Sequence, residues 1–223
     1  MLTRFARKLP LLVGLLAGAA PAVAVAEEAA VGGAGGAGDL LVGFRGIGEI
    51  WQDPGILQAY RSSRFAGAAF GAIGITGWLR AEAELGYMRQ PSQAGRTVTL
   101  ADGTAAAISA GSLELLPVTL GLAAHKDTGR AEVFGGLGYA MAVFAERTDT
   151  GTVAGTKPAL DLRGGVRIHT QLVQPRTRPT GPTGVQGVDV ELLLGRRQHH
   201  AFGMGEGFDF SAWRVGAGLV CRL

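Results

Sequence analysis

Between residues 160 and 172 the apolar side chains Leu160, Leu162, Val166, Ile168 and Leu172 occupy even positions, and Asp161, Arg163, Arg167 and His169 occupy odd ones. A period of two sends the two sets to opposite faces of a β-strand; a helix would scatter the charges around its circumference. The pattern recurs where Leu79, Ala81, Ala83, Leu85 and Tyr87 oppose Arg80, Glu82 and Glu84. It recurs where Val188, Val190, Leu192 and Leu194 oppose Asp189 and Glu191. At the end of the chain, Val215, Ala217, Leu219, Cys221 and Leu223 oppose Arg214, Gly216, Gly218 and Arg222. Residues 39–51, 65–76, 113–125 and 131–146 complete a set of eight candidate strands, with 208–223 as the last. Two of them read less cleanly. Residues 65–76 are nearly all small or apolar, so their facing stays open. In 131–146, Val133, Leu137, Tyr139, Met141 and Val143 share one face but Phe134 and Phe144 take the other.

The breaks between strands alternate in length. Residues 52–64 and 90–112 are long, 147–157 and 198–207 moderate, and 76–78 and 125–130 tight. Outer-membrane barrels have short periplasmic turns and longer external loops, and six of the seven breaks fit that scheme with both termini in the periplasm. The exception is 174–187, QPRTRPTGPTGVQG, whose prolines exclude a strand interior. Three readings of it stand: a shifted register, a tolerated insertion, or a periplasmic extension in which Arg176 and Arg178 meet envelope partners.

Residues 1–26 carry Arg4, Arg7 and Lys8, an apolar run from Leu9 to Ala20, and the small-residue pattern Ala24-Val25-Ala26 before Glu27. This is the layout of a cleaved signal peptide, and its apolar run is too short for a spanning helix. Residues 27–38 form a Gly- and Ala-rich leader expected to be flexible, and 39–223 the folded domain. Of the 21 basic residues, three precede the cleavage point, which leaves 18 against 18 acidic ones. A neutral mature chain without a basic cluster excludes a nucleic-acid partner. Cys221 is the one cysteine, so the chain has neither an internal disulfide nor a C-x-x-C metal motif.

The candidate polar faces hold Arg45, Glu49, Arg80, Glu82, Glu84, Asp161, Arg163, Arg167, Asp189 and Glu191. Inside a narrow barrel these opposite charges can pair, and an eight-stranded barrel has a lumen just wide enough for side chains to fill. Pattern alone also permits a soluble sandwich with these charges in water. The export signal, a last strand that runs to Leu223, and Trp51, Trp78 and Tyr87 near strand ends favour a membrane barrel, whose interfaces carry aromatic girdles.

The segments AEAELGYM (81–88), LPVTLGLAA (116–124), VFGGLGYAMAV (133–143) and LDLRGGVRI (160–168), with SAWRVGAGLVCRL (211–223) as closing strand, resemble the eight-stranded outer-membrane β-barrel superfamily of the opacity-protein and OmpA-transmembrane type. The resemblance implies an all-β, eight-stranded, antiparallel up-and-down transmembrane barrel in the cell outer membrane. Its partners would be outer-membrane lipid and, during assembly, the barrel-insertion machinery. The family's closing strand usually ends in an aromatic residue, and this chain ends in Leu223.

Residues suited to catalysis are sparse. His199 and His200 fall in the last external loop near Glu206, His125 in a periplasmic turn and His169 in the lumen, with no serine in a nucleophile elbow. The glycines of GGLGYA (135–140) lack the helix start that would make a phosphate site and read as positions of close strand approach. No cofactor or metal is expected. The sequence favours a non-enzymatic barrel with a structural or surface-interaction role. A barrel subunit of an envelope-spanning secretion or motility complex is the alternative, and an enzyme on outer-leaflet lipid a third reading.

Overall fold

A computed structural model describes residues 38–60, 63–95, 97–99, 105–107, 110–149, 151–170, 187–199 and 209–223. The signal peptide, nearly all of the leader, Arg176, Arg178, His200 and Glu206 lie outside the described residues. The strands are β1 (Leu40–Trp51), β2 (Ser63–Thr76), β3 (Leu79–Pro91), the short β4 (Thr97–Thr99) and β5 (Ala105–Ala107), β6 (Gly111–Asp127), β7 (Ala131–Thr148), β8 (Gly151–Thr170), β9 (Gly187–Gln198) and β10 (Ala212–Arg222). Eight of them close an antiparallel barrel in the order β1-β10-β9-β8-β7-β6-β3-β2, and β4 pairs with β5 alone.

The hydrogen-bond register fixes the tilt. From Ile50 the paired positions run through Trp213, Arg196, Leu162, Leu137, Leu122, Ala81 and Ile73, and return to β1 at Leu40. One circuit therefore descends β1 from Ile50 to Leu40, a stagger that closes the sheet only with strongly tilted strands. Close strand approach is visible at Gly121, where a Cβ would stand 2.6 Å from the Leu137 carbonyl and 2.8 Å from the Gly138 Cα.

One face of this sheet is dry and charged, the other exposed and apolar. Phe44, Phe65, Tyr87, Leu120, Leu137, Leu162, Leu194 and Leu219 all point outward and are 45–76% exposed. A soluble sandwich would bury that face and wet the charges, so the lipid-facing arrangement holds. The open facing of β2 resolves with Ala66, Ala68, Phe70 and Ala72 inside and Phe65 outside. In β7, Phe134 is inside.

The two barrel ends differ. The β2–β3 and β6–β7 turns, the start of β1 and the end of β10 share one rim; at that rim Leu41 pairs with Arg222. We assign it to the periplasmic side. The opposite rim departs from expectation in two places. The moderate loop at 147–157 is a hairpin instead: β7 runs to Thr148, β8 starts at Gly151, and the pairing is continuous from Thr148↔Gly151 downward. Its residues 152–157 lack an apolar face because they stand beyond the apolar wall, so the alternation that marks the other strands is missing there. The long break at 52–64 contains a short helix, α1 (Pro54–Tyr60). Asp53 caps it by accepting from the Gly55 and Ile56 amides at 2.7 and 3.3 Å, and Pro54 occupies the first helical position.

Candidate functional site

Among the described residues, the lumen gathers most of the buried charged groups. All ten residues of the sequence-derived ladder have buried side chains. Arg45 donates to both oxygens of Glu191, at 2.5 and 3.1 Å, and to Glu84 at 2.6 Å. Arg167 donates to Glu191 (2.7 Å), Glu132 (2.6 Å) and Glu82 (3.1 Å), so one guanidinium serves three carboxylates. Arg214 donates to both oxygens of Asp161, at 2.9 and 3.0 Å, and to Glu84. Arg163 approaches Glu82 at 2.8 Å, Arg197 donates to Glu49 at 3.1 Å, and Arg80 to Glu132. Asp189 sits apart, near the periplasmic rim, with His169 at 3.0 Å and Arg222 at 3.5 Å.

Six arginines (45, 80, 163, 167, 197, 214) thus face six acids (Glu49, Glu82, Glu84, Glu132, Asp161, Glu191), and each of the twelve is at most 5% exposed. Charges this far from water need good geometry and several hydrogen bonds each to offset their desolvation. Room for the long arginines comes from β2, whose inward residues Ala66, Ala68 and Ala72 are small. Its large inward Phe70 lies under the Arg45 guanidinium, 3.6 Å from its ring centroid. Arg197, Arg214 and Glu132 were absent from the sequence-derived ladder, although Arg214 stands on the polar face read for the closing strand. Glu132 alternates with Val133 beside a turn and was readable by period; Arg197 lies at the end of β9, where alternation alone gives little signal.

Above the ionic layer the lumen turns apolar. Ile47, Trp51, Ile56, Tyr60, Met88, Leu113, Leu115 and Phe210 form one buried cluster, with α1 across the external mouth. Trp51 is therefore not a girdle residue: it is 3% exposed, packed against Tyr60 and Phe210, with Arg64 stacked 3.1 Å from its ring centroid. It follows Ile50, which faces out, so strict alternation turns it inward. Trp78 and Tyr87 remain on the outer wall, 61% and 53% exposed. The Tyr60 hydroxyl donates to Glu146; burial first, and then that hydrogen bond, push its phenol above the ordinary range. The cap is tied to two neighbouring loops. Asp53 accepts from the Asp209 amide at 2.8 Å, and the Gln93 amide donates to the Ala59 carbonyl at 2.8 Å. Replacing Asp53 by Ala should cost about 1 kcal/mol through the lost helix cap alone. Hydrogen exchange should then accelerate at residues 54–60 and 209–211 while the barrel strands keep their protection.

His125 and His199 differ from their expected places. His125 lies within β6, not in a turn, buried 3.5 Å from Glu132. The strand continues to Asp127 because Lys126 and Asp127 still pair with β7. His199 is also buried: its amide donates to Ser211 Oγ at 2.9 Å and its Nδ1 lies 3.0 Å from the Pro158 carbonyl. The protruding β8 covers it, which no local pattern reveals. Among the described residues no group of three or more His, Cys, Asp or Glu side chains is arranged to hold a metal ion.

No family model and no curated protein matches the chain. Solved structures do. The outer membrane protein OprG from Pseudomonas aeruginosa superposes with a TM-score of 0.55 at 10% identity, covering 86% of this chain and 98% of that one. Neisserial surface protein A superposes with a TM-score of 0.49 at 11% identity, covering 83% and 96%. At such identity the shared content is architecture. With its closed register, charged lumen and apolar wall, the chain has the eight-stranded up-and-down β-barrel fold seen in bacterial outer-membrane proteins.

Proposed function

We propose that this protein is a non-enzymatic barrel of a Gram-negative outer membrane, with a structural or surface-interaction role. The observation that carries the reading is the filled lumen: six ion-paired arginines and acids in one layer, with an apolar cap above them. A barrel packed in this way offers its loops, its rim and its lipid wall to other molecules, rather than a channel or a cleft. His199, the histidine nearest the external side among the described residues, is engaged by Pro158 and stacked edge-on against Phe210. That arrangement supports a packing role and not general-base catalysis.

Heat modifiability tests the reading. Protein extracted in detergent from an outer-membrane fraction should migrate differently on a gel before and after boiling. Recovery from the soluble periplasm with no mobility shift would overturn it.

A further inference from the structure

On the outer wall, the apolar row of β3 ends at Tyr87, and the next outward residue is Arg89. Directly opposite Arg89 in the register is Glu114 of β6, and Arg147 of β7 stands beside Ser112 two residues further up. Arg89 Nε lies 3.6 Å from Glu114, and an Arg147 terminal nitrogen donates to the same carboxylate at 3.3 Å. Two guanidiniums therefore share one carboxylate and leave a net positive charge. Each also keeps most of its surface open, at 62% and 61% exposure.

Between them runs a groove of about 560 Å³ lined by Arg89, Pro91, Gly111, Ser112, Arg147 and Thr148. The floor is kept low by Gly111, where a Cβ would stand 2.1 Å from the Arg147 carbonyl oxygen. Position supplies the second argument. Ile50 and Trp213, paired with each other, both outward and exposed, mark the top of the apolar wall on their side of the barrel. Tilt brings Arg89 to that height and Arg147 above it, on the hairpin that projects past the wall. Interfacial aromatics sit at headgroup level, and arginine forks match phosphate oxygens bidentately.

We propose that Arg89 and Arg147 form a clamp for a phosphate group of outer-leaflet lipid A, with Ser112 at the groove floor and Glu114 holding the two forks apart. The inference rests on the outer-membrane reading above. Phosphate would compete with Glu114 for both guanidiniums, so the carboxylate weakens the site it organises.

The test uses full-length protein purified in mild detergent, with native mass spectrometry of bound lipid. Bisphosphorylated lipid A should bind about tenfold more tightly than its dephosphorylated form, as two charge-assisted contacts require. The R89Q/R147Q variant should lose that preference, and E114Q should strengthen it. Millimolar inorganic phosphate should leave the lipid bound. Equal binding of the two lipid forms, an undiminished preference in R89Q/R147Q, or displacement by inorganic phosphate would each overturn the clamp. Should R89Q/R147Q fail to fold, E114Q decides: tighter binding supports the site and unchanged binding refutes it. A wild-type protein that shows the heat shift but no lipid preference refutes the clamp alone, whereas one with no heat shift refutes the barrel reading with it.

Discussion

Replacing Arg167 by Met should destabilise the barrel by about 3–5 kcal/mol, the range for breaking a buried ion pair by removing one partner. Arg167 is fully buried and donates to Glu82, Glu132 and Glu191. Methionine fills much of the space but leaves three carboxylates short of a cation. Arg45 and Arg80 still reach Glu191 and Glu132, and Arg163 still reaches Glu82, so the loss is shared and not total. Denaturant titration of the protein refolded into lipid vesicles measures it. A variant within about 1 kcal/mol of wild type, the value of a surface pair, would show that water screens the lumen.

Leu162→Arg should cost about 2–4 kcal/mol for the opposite reason: it puts a charge into hydrocarbon. Leu162 is 45% exposed on the outer wall and pairs with Leu137, the midpoint of the register line that descends from Ile50 to Leu40. Val153 supplies the comparison. It is 63% exposed, on the β8 arm beyond the wall, so Val153→Arg should be close to neutral. Equal yields of heat-modifiable barrel for both variants would place the wall outside lipid.

The strands and their facing were legible because a membrane barrel leaves no choice of face: every second residue meets lipid or lumen. Where that contrast is absent, legibility ends. The β7–β8 arm stands in water on its outer side, so Thr152, Thr156 and Lys157 carry no apolar alternation and read as a loop. The helix α1 is only seven residues long, too short for a periodic stripe, although Asp53-Pro54 is a readable start signal. Trp51 was misplaced by composition: an aromatic at a strand end suggests a girdle, while its own parity points inward. The lumen residues were readable from charge and period, but their pairing was not. Glu191 receives Arg167 from directly opposite on β8, but it receives Arg45 from β1, which only closure brings near, and local spacing holds no trace of that. The groove of Arg89 and Arg147 was invisible for the same reason, since its walls come from three strands joined by a long connection and a turn.

The lumen has a consequence for how such a chain is made. Arg45 and Glu191 are 146 residues apart, and Arg197 and Glu49 are 148 apart. Neither pair can form until β10 has been synthesised and has met β1. Before that moment an open sheet would carry a row of unmatched charges and an unpaired edge, both intolerable in hydrocarbon. Ring closure and the neutralisation of Arg45 and Glu49 by partners on β9 are therefore one event, late on the assembly path, and the chain must be kept hydrated until the closing strand arrives.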